Sequence, residues 1–252
     1  MRRTVLCLIM AMAMYGIYMY TLPDTTPDEA AMASGEAQIS AQLVLPEKKL
    51  YAVVLGTYDS EDEARPDAAA YSLRGAAGMI IETNSGWALL GSGYNTEGEA
   101  ASVCAQLRSG ENIDAQVMLF SADELRVSVT ATHSQTEAIR SALDILDEIP
   151  AKLMQLAAQL DDGSLNTSTA RTLVSVELTE TIAARDALTA ALGTTADIFS
   201  RLTETEIMEL CDMLSVIADE AGPRGLSLSS WLKQCALETG LGKIDLMNTI
   251  SR

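Results

Sequence analysis

Cations are scarce in this chain: Lys and Arg total 17 against 35 Asp and Glu, a formal net charge of −18. Nucleic-acid phosphates and anionic lipid need clustered Lys and Arg, so a surface of this sign repels both. A neutral glycan or a basic protein partner stays compatible. Aromatics are scarce too, at 4%; Ala, Leu and Met fill the apolar positions, which suits helices. There is one histidine, His133, and four cysteines, Cys7, Cys104, Cys211 and Cys235, no two at CxxC spacing. That excludes the usual zinc arithmetic. His133 sits at a strand–helix junction, where a surface role is ordinary, so no hydrolase triad is indicated. The acidic runs Asp59-Ser60-Glu61-Asp62 and Asp161-Asp162 lack calcium-hand spacing and read as solvated helix ends. No pair of carboxylates is singled out for glycoside chemistry. The expectation is a non-enzymatic protein with no cofactor and no metal.

What the chain does contain is a stretch written twice. Leu55-Gly56-Thr57-Tyr58-Asp59-Ser60-Glu61-Asp62-Glu63-Ala64 returns as Leu90-Gly91-Ser92-Gly93-Tyr94-Asn95-Thr96-Glu97-Gly98-Glu99-Ala100, with Gly93 inserted. Each copy follows an apolar run with strand character, Tyr51–Leu55 or Trp87–Leu90. Ser60 with Glu63, and Thr96 with Glu99, fit capping boxes that open helices over residues 64–74 and 100–108. Pro66 falls in a first turn, where its missing N–H is harmless. Strands follow at residues 76–82 and 115–120. The order β-α-β, β-α-β predicts a ferredoxin-like βαββαβ sheet, four antiparallel strands with two helices on one face. The other face would be left open, to water or to a partner.

On these residues the stretch resembles the SPOR (sporulation-related repeat) domain. Tyr51, Val53, Gly56 and Tyr58 fit the first part of that family's pattern, Tyr-x-Val-Gln-x-Gly-x-Phe. Leu90 and Gly91 fit the second, Arg-Val-x-Val-Gly-Pro-Phe. The resemblance covers about seventy residues, 49–120. It implies an anchored bacterial envelope protein that binds septal peptidoglycan glycan strands and is placed at the division or sporulation septum. The chain departs from the pattern at Val54, Trp87 and Ser92, where the family has Gln, Arg and Pro. Those changes remove polar groups that could bond a sugar, while aromatic faces could stack on one. Tyr51, Val54, Tyr58, Trp87 and Tyr94 are the candidate glycan-binding residues.

Around the repeat, Arg2-Arg3 precede an apolar run from Val5 to Leu22. As a helix it spans about 27 Å, enough for a bilayer core. Cations before it and acids after it place the N-terminus in the cytoplasm and the bulk outside, as a single-pass anchor over 1–23. Residues 24–47 read as a disordered linker. The SPOR-like domain takes 48–132, with Glu124–Thr130 as an added edge strand or a hairpin partner of residues 117–120. Residues 133–252 read as an all-α bundle. Its first helix is opened by Ser134 and Glu137 and broken or bent at Pro150. A second starts at Asn166 or Thr167 and stops at Gly193. A third is opened by Thr203 and Glu206 and ended by Gly222-Pro223. A last short helix runs from Ser229 to Glu238 and is closed by Gly240. The competing functional expectation is a scaffold, in which a degenerate SPOR fold and this bundle hold an envelope protein partner.

Overall fold

The computed structural model describes residues 37–193, 196–219 and 227–252. The anchor at 1–23, most of the linker and the Gly222-Pro223 stop lie outside the described residues. Among the described residues no helix is long and apolar enough to cross a membrane.

The fold is α+β, a strand-rich first half followed by a helical bundle. In chain order the elements are β1 (Ile39–Leu45), β2 (Lys48–Tyr58), α1 (Glu61–Leu73), β3 (Met79–Thr83), β4 (Gly86–Tyr94), α2 (Glu97–Gln106), β5 (Gln116–Ala122), β6 (Leu125–Ala131), α3 (His133–Asp161), α4 (Thr167–Leu192), α5 (Ile198–Ala218) and α6 (Leu228–Ile250). β2 to β5 form one antiparallel sheet in the order β3-β4-β2-β5. The two copies of the repeat therefore meet at its centre: β2 pairs with β4, Tyr51 opposite Tyr94 and Tyr58 opposite Trp87. Both helix starts follow the sequence signal. Ser60 accepts from the Glu63 N–H and Thr96 from the Glu99 N–H, each at 3.3 Å. The β2–β4 register is irregular between Val53 and Gly56, where Gly91 and Leu55 are each skipped, and it resumes unchanged on either side, with Gly93 opposite Ala52.

Several expectations are corrected. Residues 39–45, expected in the linker, form β1. It pairs antiparallel with β6 in a separate two-stranded sheet, so β6 neither extends the main sheet nor pairs with β5. The sequence hid this pairing because its partners lie some ninety residues apart. α3 is capped two residues earlier than expected, by Thr132 and Gln135 in a reciprocal capping box, and it continues through Pro150. An interior proline costs about 3 kcal/mol. Burial of Leu146, Ile149, Leu153 and Leu156 along one stripe outweighs that. α5 opens at Asp197, which accepts from the Ser200 N–H at 3.0 Å, not at Thr203, which is buried and bonds the Phe199 carbonyl. α6 does not stop at Gly240. That glycine lies against Leu50, 3.4 Å from where a Cβ would stand, and the Glu206 carboxylate fills the corresponding space at Gly242. Gly242 admits a close neighbour, and neither glycine ends the helix.

Residues 37–252 form one compact unit. The expected division at 132/133 is a change of secondary structure within it, because a single core joins both halves. Leu50, Ala52, Val54, Ala88 and Leu90 of the sheet share that core with Ile139, Leu143, Phe199, Ile207, Leu237 and Ile244 of the helices.

Candidate functional site

Strand alternation sends successive side chains to opposite sheet faces. One face carries Val53, Leu55 and Leu89 and is covered by α1 and α2 through Ala68, Ala100 and Cys104. The other, expected to be open, lies under the bundle. α6 packs along β2, β4 and β5, and the face-forming Ala52, Val54, Ala88 and Leu90 are 0–5% exposed. A platform open to sugar does not exist on that side. The inserted Gly93 helps close it: a Cβ there would stand 2.7 Å from Leu237 of α6 and 3.0 Å from Leu50.

The five candidate glycan residues are divided by this arrangement. Val54 is buried at 5% in the joint core opposite Leu90, so it cannot touch a ligand. Tyr51, Tyr58 and Tyr94 pack on the α1/α2 side. Trp87, half-buried, is registered with Tyr58 and shares the parity of Leu89, so it too belongs to the covered side and not to an open one. Tyr51 and Tyr94 stand at one end of the β2–β4 ladder and Tyr58 and Trp87 at the other, about 23 Å away by strand rise. The structure makes two aromatic pairs, not one aromatic platform.

The Tyr58/Trp87 end is closed by local contacts. The Tyr58 hydroxyl donates to Asp67 of α1 at 2.7 Å, and its ring lies over Gly56, where a Cβ would be 2.8 Å from the phenol oxygen. Burial, with the hydrogen bond and charge of Asp67, raises the Tyr58 pKa, so the hydroxyl stays a donor.

The Tyr94 end opens onto two adjoining clefts, which share Tyr94 and Lys233. The larger, about 350 Å³, lies between the end of β4, the start of α2, and helices α3 and α6; Asn95, Glu99, Gln155 and Asp161 supply its polar lining and Leu50, Met154 and Leu237 its apolar floor. The smaller, about 220 Å³, lies over Val53 and Gly91 between α1 and the π-helical turn Leu107–Glu111 that ends α2. Lys233 is the divider. Its ammonium donates to the Gly75 carbonyl at 2.7 Å and to Asp161 at 2.6 Å, tying α6 to the α1–β3 loop and the end of α3. Tyr94 accepts from the Ser92 hydroxyl at 3.2 Å, and burial raises its pKa. At the mouth of the smaller cleft, Arg74 pairs with Glu111 and sits over the Tyr71 ring.

Of the expected site residues only Tyr94 lines this cleft. Sequence reasoning did not single out Gln155 or Lys233, and read Asp161 as a solvated helix end. The available signal was Lys233, a charge set among Leu232, Cys235, Ala236 and Leu237, which are all buried. A second such cation, Lys243, is 2% exposed and pairs with Asp147 of α3, which also holds Lys48 of β2 at 3.0 Å. Burial pushes the Asp147 carboxyl up, but the hydrogen bonds and charges of Lys243 and Lys48 outweigh it and hold it below its ordinary value. His133 lies exposed at the start of α3, and Cys104, Cys211 and Cys235 are free and buried. Among the described residues no cluster of His, Cys, Asp and Glu could hold a metal ion. Compared with protein-family models, curated proteins and solved structures, the chain has no match in any of the three.

Proposed function

We propose that this chain is a non-enzymatic scaffold of the bacterial cell envelope, a degenerate SPOR-like, ferredoxin-type fold joined to a helical bundle, which works by binding a protein partner. The observation that carries this reading is the covered sheet face: α6 and the joint core occupy the surface that sugar docking on a bare sheet requires. The loss of polar groups at Val54 and Trp87 agrees with it. Placement in the envelope rests on the apolar run at 5–22 and on the resemblance. Co-sedimentation with purified sacculi tests the reading. The full-length chain is expected to stay in the supernatant, and Trp87→Ala to change nothing.

A second reading keeps glycan as the ligand but moves it to the larger cleft. There one aromatic, one amide pair and several charged groups surround an apolar floor within about 350 Å³. Sugar rings need such a mixture, CH groups on an aromatic face and hydroxyls on paired donors and acceptors. Sedimentation with sacculi that is abolished by Tyr94→Ala and untouched by Trp87→Ala would establish this second reading in place of the first.

A further inference from the structure

β3 is an edge strand. It pairs with β4 on one side, and among the described residues no strand pairs with its outer side. The tight turn at Asn84-Ser85 sets Thr83 opposite Gly86. Thr83 therefore turns its backbone groups to β4, and by alternation Ile81 and Met79 do too. The backbone groups of Ile80 and Glu82 face outward. Such an edge is a template for an added strand.

A groove of about 600 Å³ runs between this strand and the α5–α6 pair. Its floor is apolar, from Met79, Ile81, Met213 and Leu241, and its rim carries Glu206, Glu209, Asp212, Glu238 and Asp245 with no Lys or Arg. Among the described residues none of these five carboxylates has an ion-pair partner within salt-bridge distance. Arg185, whose field reaches Asp212, is already held by Asp186 at 2.6 Å. Burial, with the charges of Glu209 and Asp245, pushes the Glu206 carboxyl up to about 7. The rim thus lacks counter-charge while the edge lacks a partner strand, two independent deficits at one place.

Building on the scaffold reading, we infer that the outer edge of β3 takes an extended cationic segment of a protein partner as an added strand. Groove-facing positions of that segment are Lys or Arg, whose methylene stems lie on Met79, Ile81, Met213 and Leu241 while their charged ends reach the carboxylates. The alternate positions are β-branched and lie on the Ile80 side. A second copy of this chain does not fit, since two surfaces at −18 repel.

The test is fluorescence anisotropy of the full-length chain with a labelled ten-residue peptide alternating Lys and Val. It is run beside a Glu-Val peptide and a helix-forming Lys-Leu peptide of equal charge. The Lys-Val peptide is expected to bind, the Glu-Val peptide not at all, and the helical peptide at least about 10-fold more weakly. Neutralising three exposed rim residues together, by Glu209→Gln, Asp212→Asn and Asp245→Asn, should weaken Lys-Val binding about 10-fold or more. Glu82→Pro removes one outward N–H without touching the β3–β4 ladder, so it should abolish Lys-Val binding with the thermal midpoint unchanged. Equal binding of the helical peptide, or insensitivity to Glu82→Pro, or insensitivity to the triple change overturns the inference. An envelope protein that crosslinks to the chain and is not displaced by the Lys-Val peptide overturns it too, while leaving the scaffold reading standing.

Discussion

The two faces of the four-stranded sheet are built from the same strands and meet different fates. On the bundle side Ala52, Val54, Ala88 and Leu90 share an apolar core with Leu237, Ile139 and Phe199, with Lys48 reaching Asp147 at one end of β2. On the α1/α2 side the strands offer Tyr51, Tyr58 and Tyr94, larger side chains with hydroxyl ends, beneath two short Ala-rich helices. Small residues opposite a long helix allow close, dry contact. Large amphipathic residues beneath short helices leave clefts with wet ends. The face expected to serve a ligand is the one that became core; the smaller cleft lies on the side expected to be merely structural, and the larger lies at the end of the sheet against α3 and α6.

The strongest way to break that contrast is to loosen the dry face. Leu237→Ala, at a fully buried side chain against Gly93 and Leu50, should cost about 3 kcal/mol, read as a lower urea midpoint. A neutral midpoint would mean that α6 is not integral to the sheet. Lys243→Ala should cost nearly as much, about 3 kcal/mol, because Asp147 then keeps Lys48 alone. Lys243→Met, which refills the space, should cost less than about 1.5 kcal/mol. Gly93→Val probes the same contact from the strand; overpacking against Leu237 should cost about 1–2 kcal/mol.

The pH dependence sharpens the contrast at the acidic groove. Glu206 has its carboxyl raised from 4.5 to about 7 by burial and by Glu209 and Asp245. The native state therefore binds that proton more tightly than the unfolded chain. Its contribution is full below pH 4.5 and is lost as pH rises through about 7. The loss should be on the order of 1 kcal/mol once solvent screening is counted. Glu206→Gln should flatten this part of the stability curve, and an unchanged slope would remove Glu206 as its source. The smallest effect is expected on the wet face. Tyr58→Phe deletes one part-exposed hydrogen bond to Asp67 and should cost about 0.5 kcal/mol by thermal melting.

Much of the local structure was legible. The duplicated Gly-Tyr-Ser/Thr-Glu-Ala stretches gave both N-caps and the β-α-β order because caps and turns act within a few residues. The apolar residues from Ile139 to Leu160, three or four apart, likewise mark one helical stripe in the sequence. What misled were signals whose meaning depends on neighbours. Pro150 reads as a breaker and Gly240 as a stop, yet the first is overridden by the buried stripe and the second lies in the middle of α6. Tyr94 was picked out as one of few aromatics; Lys233 was not, and Asp161 was read as a solvated helix end, because nothing in their own spacing brings residues 72 apart into one cleft.

The sequence by itself determined an acidic α+β chain with a tandem strand–helix repeat and a run of amphipathic helices, since charge, capping and periodicity are local quantities. Only the tertiary structure decided which sheet face was consumed, that β1 would leave the linker to join β6, and where the unmatched strand edge and its acidic groove would lie. Those outcomes depend on which apolar surfaces bury one another, a choice made between segments far apart in the chain that no window of residues contains.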